Sequence, residues 1–308
     1  MTKTEILLLL FIILLGTFLR VYNIGEESFW LDETATAVAV KNYGAYEILK
    51  NAIILGNVTP GYWEGAITDL PFYFVLMSFW AKLFGISEAP LRLFSALFGS
   101  LSIFMVFLVA KELVSRNAAF LSSFIFSISM VNIEYSQEAR LYSFLVFIVL
   151  SSVYFLIKSL KTGKQFYLSI FTVINIIGLY THFIYVFFIF SQGLYVLTML
   201  KIDPRYVKRI LVSLVAAGLF YLPWLPRLLD QTDGGGSYIG KPTLISASKV
   251  WLNFNTWVFP STELSSNIYS MDFLQISVFD WILIASAVIL AIFMTIFFII
   301  GVLNYRSA

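Results

Sequence analysis

Pro71 to Gly85 reads PFYFVLMSFWAKLFG, and whether this stretch crosses a membrane decides the fold. As a helix it is about 22 Å long, short of the roughly 30 Å of hydrocarbon that a span must cover. Around it stand eight apolar stretches that read as clear spans: Glu5 to Tyr22, Leu91 to Lys111, Ala118 to Ile133, Leu141 to Ile157, Phe166 to Tyr180, Ile184 to Leu200, Ile210 to Pro226 and Phe279 to Leu303. The chain is 59% hydrophobic and only 12% charged, where a soluble domain carries about 25% charged residues. It is therefore read as a polytopic membrane protein.

Charge placement settles the short stretch. If it does not cross, the loops KELVSR (111–116), KSLKTGK (158–164) and KIDPRYVKR (201–209) share one face with Lys3 and Arg306. That face holds 11 of the 20 basic residues, whereas 15 of the 18 carboxylates fall on the other. Dense basic loops belong on the cytoplasmic side, and a crossing by Pro71 to Gly85 would turn all of them outward. The predicted fold is all-α: about eight transmembrane helices in one membrane domain, 1–308, with juxtamembrane helices in the first and last outer loops. Those loops run over 22–90 and 227–278, and Lys249 to Phe259 is the amphipathic candidate in the second. Lys3 before an apolar run resembles a secretory signal, but no small-residue cleavage pattern follows, so the run is expected to stay as the first span.

Composition excludes several chemistries. With no cysteine, there is no disulfide framework, thiolate nucleophile or cysteine metal site. His182 is the only histidine, which argues against a zinc centre and leaves carboxylates as ligands for a weak divalent cation at most. No cofactor is expected. A net charge of +2 gives no reason to expect a nucleic-acid partner.

Polar groups converge on the predicted outer face. RVYNIGEESFWLDET (20–34) sets Asp32 and Glu33 side by side just past the first span, and Asp69 stands before Pro71. EYSQEARLY (134–142) brings Glu138 and Arg140 to the mouth of a span, with Tyr135, Gln137 and Tyr142 as pocket candidates. YTHF (180–183) adds His182, and Arg92 opens the second span. Charges at hydrocarbon depth are costly, so they pair or work. A carboxylate at the bilayer edge suits proton transfer on a membrane-borne substrate, and the forked guanidinium of Arg140, with Arg92 as a second, suits phosphate. Structural readings compete throughout. Asp32 and Glu33 also fit a solvated helix start capped by Ser28, Glu138 and Arg140 a local salt bridge, and Arg92 a snorkelling end residue. His182 equally suits a structural contact between helices, and Trp30, Tyr135 and Tyr142 suit interfacial anchoring.

The order of motifs resembles a known family. SFWLDET (28–34), TDLPFYFVL (68–76), FGISEAPLRLFSALFG (84–99), EYSQEARLYSF (134–144) and GLYTHFIY (178–185) look like the GT-C glycosyltransferases. The nearer branch is that of dolichyl-phosphate-mannose protein mannosyltransferases and aminoarabinose transferases. The resemblance covers roughly residues 1 to 200 and thins after Lys201. It implies Asp32 as catalytic base with Glu33 beside it, and Glu138 as a second acid with Arg140 as its basic partner. Where the family usually reads DHPPLYY, this chain has Asp69-Leu70-Pro71-Phe72-Tyr73, without the histidine and one proline. The implied activity is transfer of a sugar from a polyprenyl-phosphate donor to a protein, lipid or glycan acceptor at the outer face of the cell membrane, with inversion. A transporter would show ionisable groups in mid-span and inverted halves. A non-catalytic membrane subunit gives no reason for five ordered motifs around one face.

Overall fold

The computed structural model describes residues 1–55, 70–198 and 204–224. Two compact units divide the chain: one comprises 1–128 and 132–238, and the other, 129–131 with 239–308, lies almost wholly outside the described residues. Asp69, the last outer loop with its amphipathic candidate, and the eighth expected span, Phe279 to Leu303, fall outside them too.

Every described element is a helix. The first, α1 (Lys3–Val21), starts on a capping box in which Thr2 Oγ1 accepts from the Glu5 amide and the Glu5 carboxylate accepts from the Thr2 amide. Leu7, Phe11, Leu14 and Phe18 on α1 are exposed, a surface for lipid rather than water. α2 (Leu31–Asn42), α3 (Ala45–Leu55) and α4 (Pro71–Phe84) follow, then the long α5 (Glu88–Leu113). Next come α6 (Arg116–Ser127), α7 (Met130–Glu134), α8 (Tyr142–Thr162), α9 (Gln165–Leu179), α10 (Tyr185–Leu197) and α11 (Pro204–Tyr221), the last continued by a 3₁₀ turn, Leu222–Trp224. By length and composition, α1, α5, α8 and α11 with its 3₁₀ turn can each cross a membrane, while α4, α9 and α10 are shorter apolar helices.

One end of the bundle gathers acids and the other bases. At the basic end, Glu112 closing α5 pairs with Lys158 and Lys161 closing α8, and Arg116 opening α6 pairs with Glu5 opening α1. Arg209 of α11 donates to the Gly163 carbonyl and the Gln165 side chain there. Gly163 ends α8 at φ +69°, a left-handed turn that glycine adopts without strain, so α9 can start back at once. The opposite end holds the start of α5, the close of α1, the 134–141 turn and the α9–α10 turn.

Both limbs of the short stretch stay at that acidic end. The Phe72 amide of α4 donates to the Tyr180 carbonyl (3.2 Å), and Trp80 Nε1 donates to the Pro90 carbonyl in the first turn of α5 (2.7 Å). Tyr73 and Trp80, two helical turns apart, both set their rings edge-on to Phe94 of α5, with centroids 5.7 and 5.6 Å away. Thus α4 lies across the start of α5. With about 21 Å of helix and both ends tied to the same region, it does not carry the chain to the basic end. Tyr73, Phe74 and Met77 are fully buried beneath it, in a core shared with Phe94, Phe144 and Leu179.

One expected span is corrected. Ala118 to Ile133 is not a continuous helix: α6 stops at Ser127 and the short α7 begins at Met130. Ser123 and Ser127 turn their hydroxyls onto the carbonyls of Ala119 and Phe124, which competes with the helical ladder. The buried Arg20 takes the carbonyls of Phe126 and Ser127, where a further turn of helix would have placed amides. Most other boundaries move little, but α8 runs on to Thr162, five residues past the expected end, and α11 begins at Pro204, six residues before the expected start.

Candidate active site

Asp32 and Glu33 lie in the first turn of α2, adjacent in sequence and thus about 100° apart around the helix axis. They therefore face different surroundings. Glu33 turns inward and is fully buried. Its carboxylate receives a two-pronged guanidinium: Arg92 Nη2 lies 2.7 Å from Oε2 and Arg92 Nε 2.8 Å from Oε1. Oε1 also accepts from the Ala139 amide (2.7 Å), and Oε2 from the Trp30 amide at the helix start (3.3 Å). Arg92 gives its remaining donors to the carbonyls of Ile24, Glu27 and Ser28. All five N–H groups of the guanidinium are thereby engaged. Phe29 lies under its cation, 5.6 Å from ring centre to Cζ.

This pair joins three pieces of chain. The 24–33 loop, the start of α5 and the 138–140 turn are locked through one carboxylate and one guanidinium, and the Ala139 contact spans 106 residues of sequence. The two acidic motifs therefore meet, as the sequence requires for a shared site. Gln137 reinforces the join by donating to the Leu19 and Tyr22 carbonyls at the end of α1 (3.2 and 2.9 Å), which places it at the cap of that helix.

Asp32 points the other way. Its side chain is 40% exposed, and Arg140 Nη2 stands 3.8 Å from its Oδ2. Arg140 is buried, with Nη1 reaching the Asp32 carbonyl and Thr36 Oγ1, both at 3.4 Å. Ser95 of α5 holds the Arg140 carbonyl at 3.0 Å.

Glu138 sits beside this group with its Oε2 buried and no hydrogen-bond partner among the described residues. Burial pushes its carboxyl up to about 7, Glu134 and Glu33 add to the rise, and the Arg140 cation only partly offsets them. The folded pKa thus lies above the ordinary carboxylate value, so this group favours the folded state below about pH 4.5 and withdraws that support as the pH rises toward 7. Glu138→Gln is expected to flatten the fall in thermal stability between pH 4.5 and 7, gaining roughly 1–2 kcal/mol at pH 7.5 after discounting for solvent screening. Thermal unfolding of both proteins across that range checks it, and parallel curves would mean Glu138 is ionised without cost.

His182 lies in the turn after α9, close enough to Arg140 to feel its charge. Its Nδ1 accepts from the Ile184 amide (3.2 Å), which leaves the proton of the neutral ring on Nε2. Burial, and then Arg140, hold its pKa below the ordinary value. Tyr135 is exposed and its ring meets that of Tyr142 at 5.0 Å. Thr36, one helical turn beyond Asp32, escapes a sequence reading of the site, and so does the role in the fold of Arg20, fully buried at the end of α1. The only signal for Arg20 is a cation closing an apolar run. Among the described residues no three of His, Asp and Glu are grouped to hold a metal ion.

Three comparisons bear on this geometry. A family model described as dolichyl-phosphate-mannose-protein mannosyltransferase matches residues 69–228, more than half of the 308. An uncharacterized protein of Aquifex aeolicus (strain VF5) is 29% identical over 147 residues, covering 47% of this chain and 28% of that protein. Among solved structures, the archaeal oligosaccharyltransferase AglB from Archaeoglobus fulgidus, in complex with an inhibitory peptide and a dolichol-phosphate, shares the fold at a TM-score of 0.51 and 16% identity. That likeness covers 97% of this chain and 38% of AglB. Fold and family match define a protein of the GT-C superfamily. Within it, the chain belongs to the dolichyl-phosphate-mannose-protein mannosyltransferase family. It spans well under half the length of these two relatives. The matched segment runs past Lys201 to 228, further than the motifs alone suggest, and leaves the 28–34 motif outside.

Proposed function

We propose that this protein is a membrane glycosyltransferase that moves a sugar from a polyprenyl-phosphate donor to an acceptor hydroxyl on protein, lipid or glycan. The observation that carries this reading is the pairing of an exposed carboxylate, Asp32, with a buried guanidinium, Arg140, at 3.8 Å. A donor with its tail in lipid presents its anomeric carbon at the bilayer edge, where such a pair can work on both sides of the bond. Asp32 takes the proton of the acceptor hydroxyl as its oxygen forms the new bond to the anomeric carbon. The bond to the phosphate oxygen breaks with its electrons, and Arg140 neutralises the departing polyprenyl phosphate. In-line displacement inverts the anomeric centre. No cofactor enters this reaction.

Glu33 and Arg92, both candidates for direct chemistry from the sequence, take a positioning role here, because each satisfies the other. His182 Nε2 and the Tyr142 hydroxyl, both beside Arg140, are assigned to the substrate. Asp69 keeps its candidacy from sequence alone. Segregation of basic residues to the far end of the bundle supports a cytoplasmic basic end and an active site on the outer face of the cell membrane. AglB was solved with a dolichol-phosphate, which supports a polyprenyl-phosphate donor. Purified protein incubated with radiolabelled polyprenyl-phosphate sugars and a membrane extract as acceptor source is expected to release the bare lipid phosphate. Counterflow of the lipid in vesicles without release would instead make it a transporter.

A further inference from the structure

Beyond the acid cluster, a second polar group at the same end of the bundle has no charge. Tyr180, which closes α9, donates its hydroxyl to the Phe220 carbonyl of α11 (2.7 Å). Its ring stands edge-on to Tyr221 (5.8 Å) and Trp224 (6.1 Å). Tyr221 and Trp224 are 5% and 4% exposed. Even so, the Tyr221 hydroxyl and Trp224 Nε1 have no hydrogen-bond partner among the described residues. Packing alone gives no reason for either atom, since phenylalanine would fill much of the same space without burying a lone donor.

The cluster is joined to the site through Tyr180. Its carbonyl holds the start of α4, and two residues further on stands His182, within the field of Arg140. The same end of the fold therefore offers a charged group around Asp32 and Arg140 and a neutral, aromatic group around Tyr221 and Trp224. A phosphate requires the first. The chemistry of a pyranose ring matches the second, because its C–H faces pack on aromatic rings while its hydroxyl oxygens accept from neutral donors.

We propose that Tyr221 and Trp224 form the subsite for the sugar ring of the donor, with the Tyr221 hydroxyl and the Trp224 indole N–H donating to sugar oxygens. The assignment rests on the glycosyltransferase reading above and names the part of the substrate that this part of the fold recognises. Tyr180 is a positioning residue that holds both rings.

The test compares two lipids on the full chain in detergent: a short-chain polyprenyl phosphate carrying mannose or glucose, and the same polyprenyl phosphate without sugar. Wild type is expected to bind the better sugar-bearing lipid more tightly than the bare phosphate. Tyr221→Phe should weaken binding of that lipid by roughly 3- to 10-fold, the worth of one neutral hydrogen bond, and leave the bare phosphate unchanged. Trp224→Phe should act in the same direction. Because Tyr221→Phe removes a buried donor that lacks a partner, its melting temperature should equal or exceed that of wild type, which separates binding from folding. If Tyr221→Phe binds both lipids as wild type does, or if wild type binds both equally, the sugar subsite is overturned while the glycosyltransferase reading stands. Binding of neither lipid by wild type overturns both.

Discussion

Asp32→Asn is expected to cut sugar transfer by roughly 10²- to 10⁴-fold, the contribution of a positioned general base, while the protein still folds. The carboxylate is 40% exposed and its ion pair with Arg140 is long, 3.8 Å, so the pair adds little to stability. The Asp32 carbonyl and Thr36 Oγ1, which also hold Arg140, survive the substitution. Asparagine keeps the shape and the polar character of the first turn but has no basic oxygen to receive a proton. The loss should fall on kcat, because the acceptor still binds and only the proton transfer fails. Donor binding should change little or tighten, since Arg140 is relieved of a competing anion. The measurement is single-turnover transfer beside a melting curve. Near-normal transfer with an intact fold would remove Asp32 from the reaction.

The pair Asp32-Glu33 shows how far the sequence carries. That two acids stand near a bilayer on a loop between spans is legible from composition and spacing alone. Which of them is free is not, because it depends on where Arg92 lands, 59 residues away. A single helical step sends one carboxylate into the core and the other toward solvent, so adjacency in sequence becomes separation in role. The same holds for Gln137 and Arg140 in EYSQEARLY: three residues apart, one caps α1 and the other faces Asp32. The topology around α4 is readable because it rests on length and on the distribution of lysine and arginine, which are bulk properties of the chain. The break between α6 and α7 is not, since it depends on a buried arginine reaching in from α1. Hydropathy windows average over such local polar contacts. What they miss here is the hydrogen bonding that shapes the site.

Glu33→Ala should destabilise the protein by about 3–5 kcal/mol, the cost of removing one member of a buried ion pair. Arg92 would be left buried with two of its five donors unmet, and the Ala139 amide would lose its acceptor. Because that amide adjoins Glu138 and Arg140, the 138–140 turn would part from the start of α2, and Asp32 would lose its register with Arg140. At about 2–4 °C per kcal/mol for a chain of this size, the melting temperature should fall by roughly 10 °C. Arg92→Lys should follow in the same direction, since an ammonium cannot meet both carboxylate oxygens and three carbonyls at once. The double variant Glu33→Met with Arg92→Met should cost less than the two single losses added together, because neither buried charge is then left alone. An unchanged melting temperature for Glu33→Ala would mean that this carboxylate holds nothing together, and its place beside Asp32 would then call for a direct part in the chemistry. The two acids are thus separable by experiment: substitution of the exposed one should silence a folded protein, whereas substitution of the buried one should loosen the fold that keeps the exposed one in place.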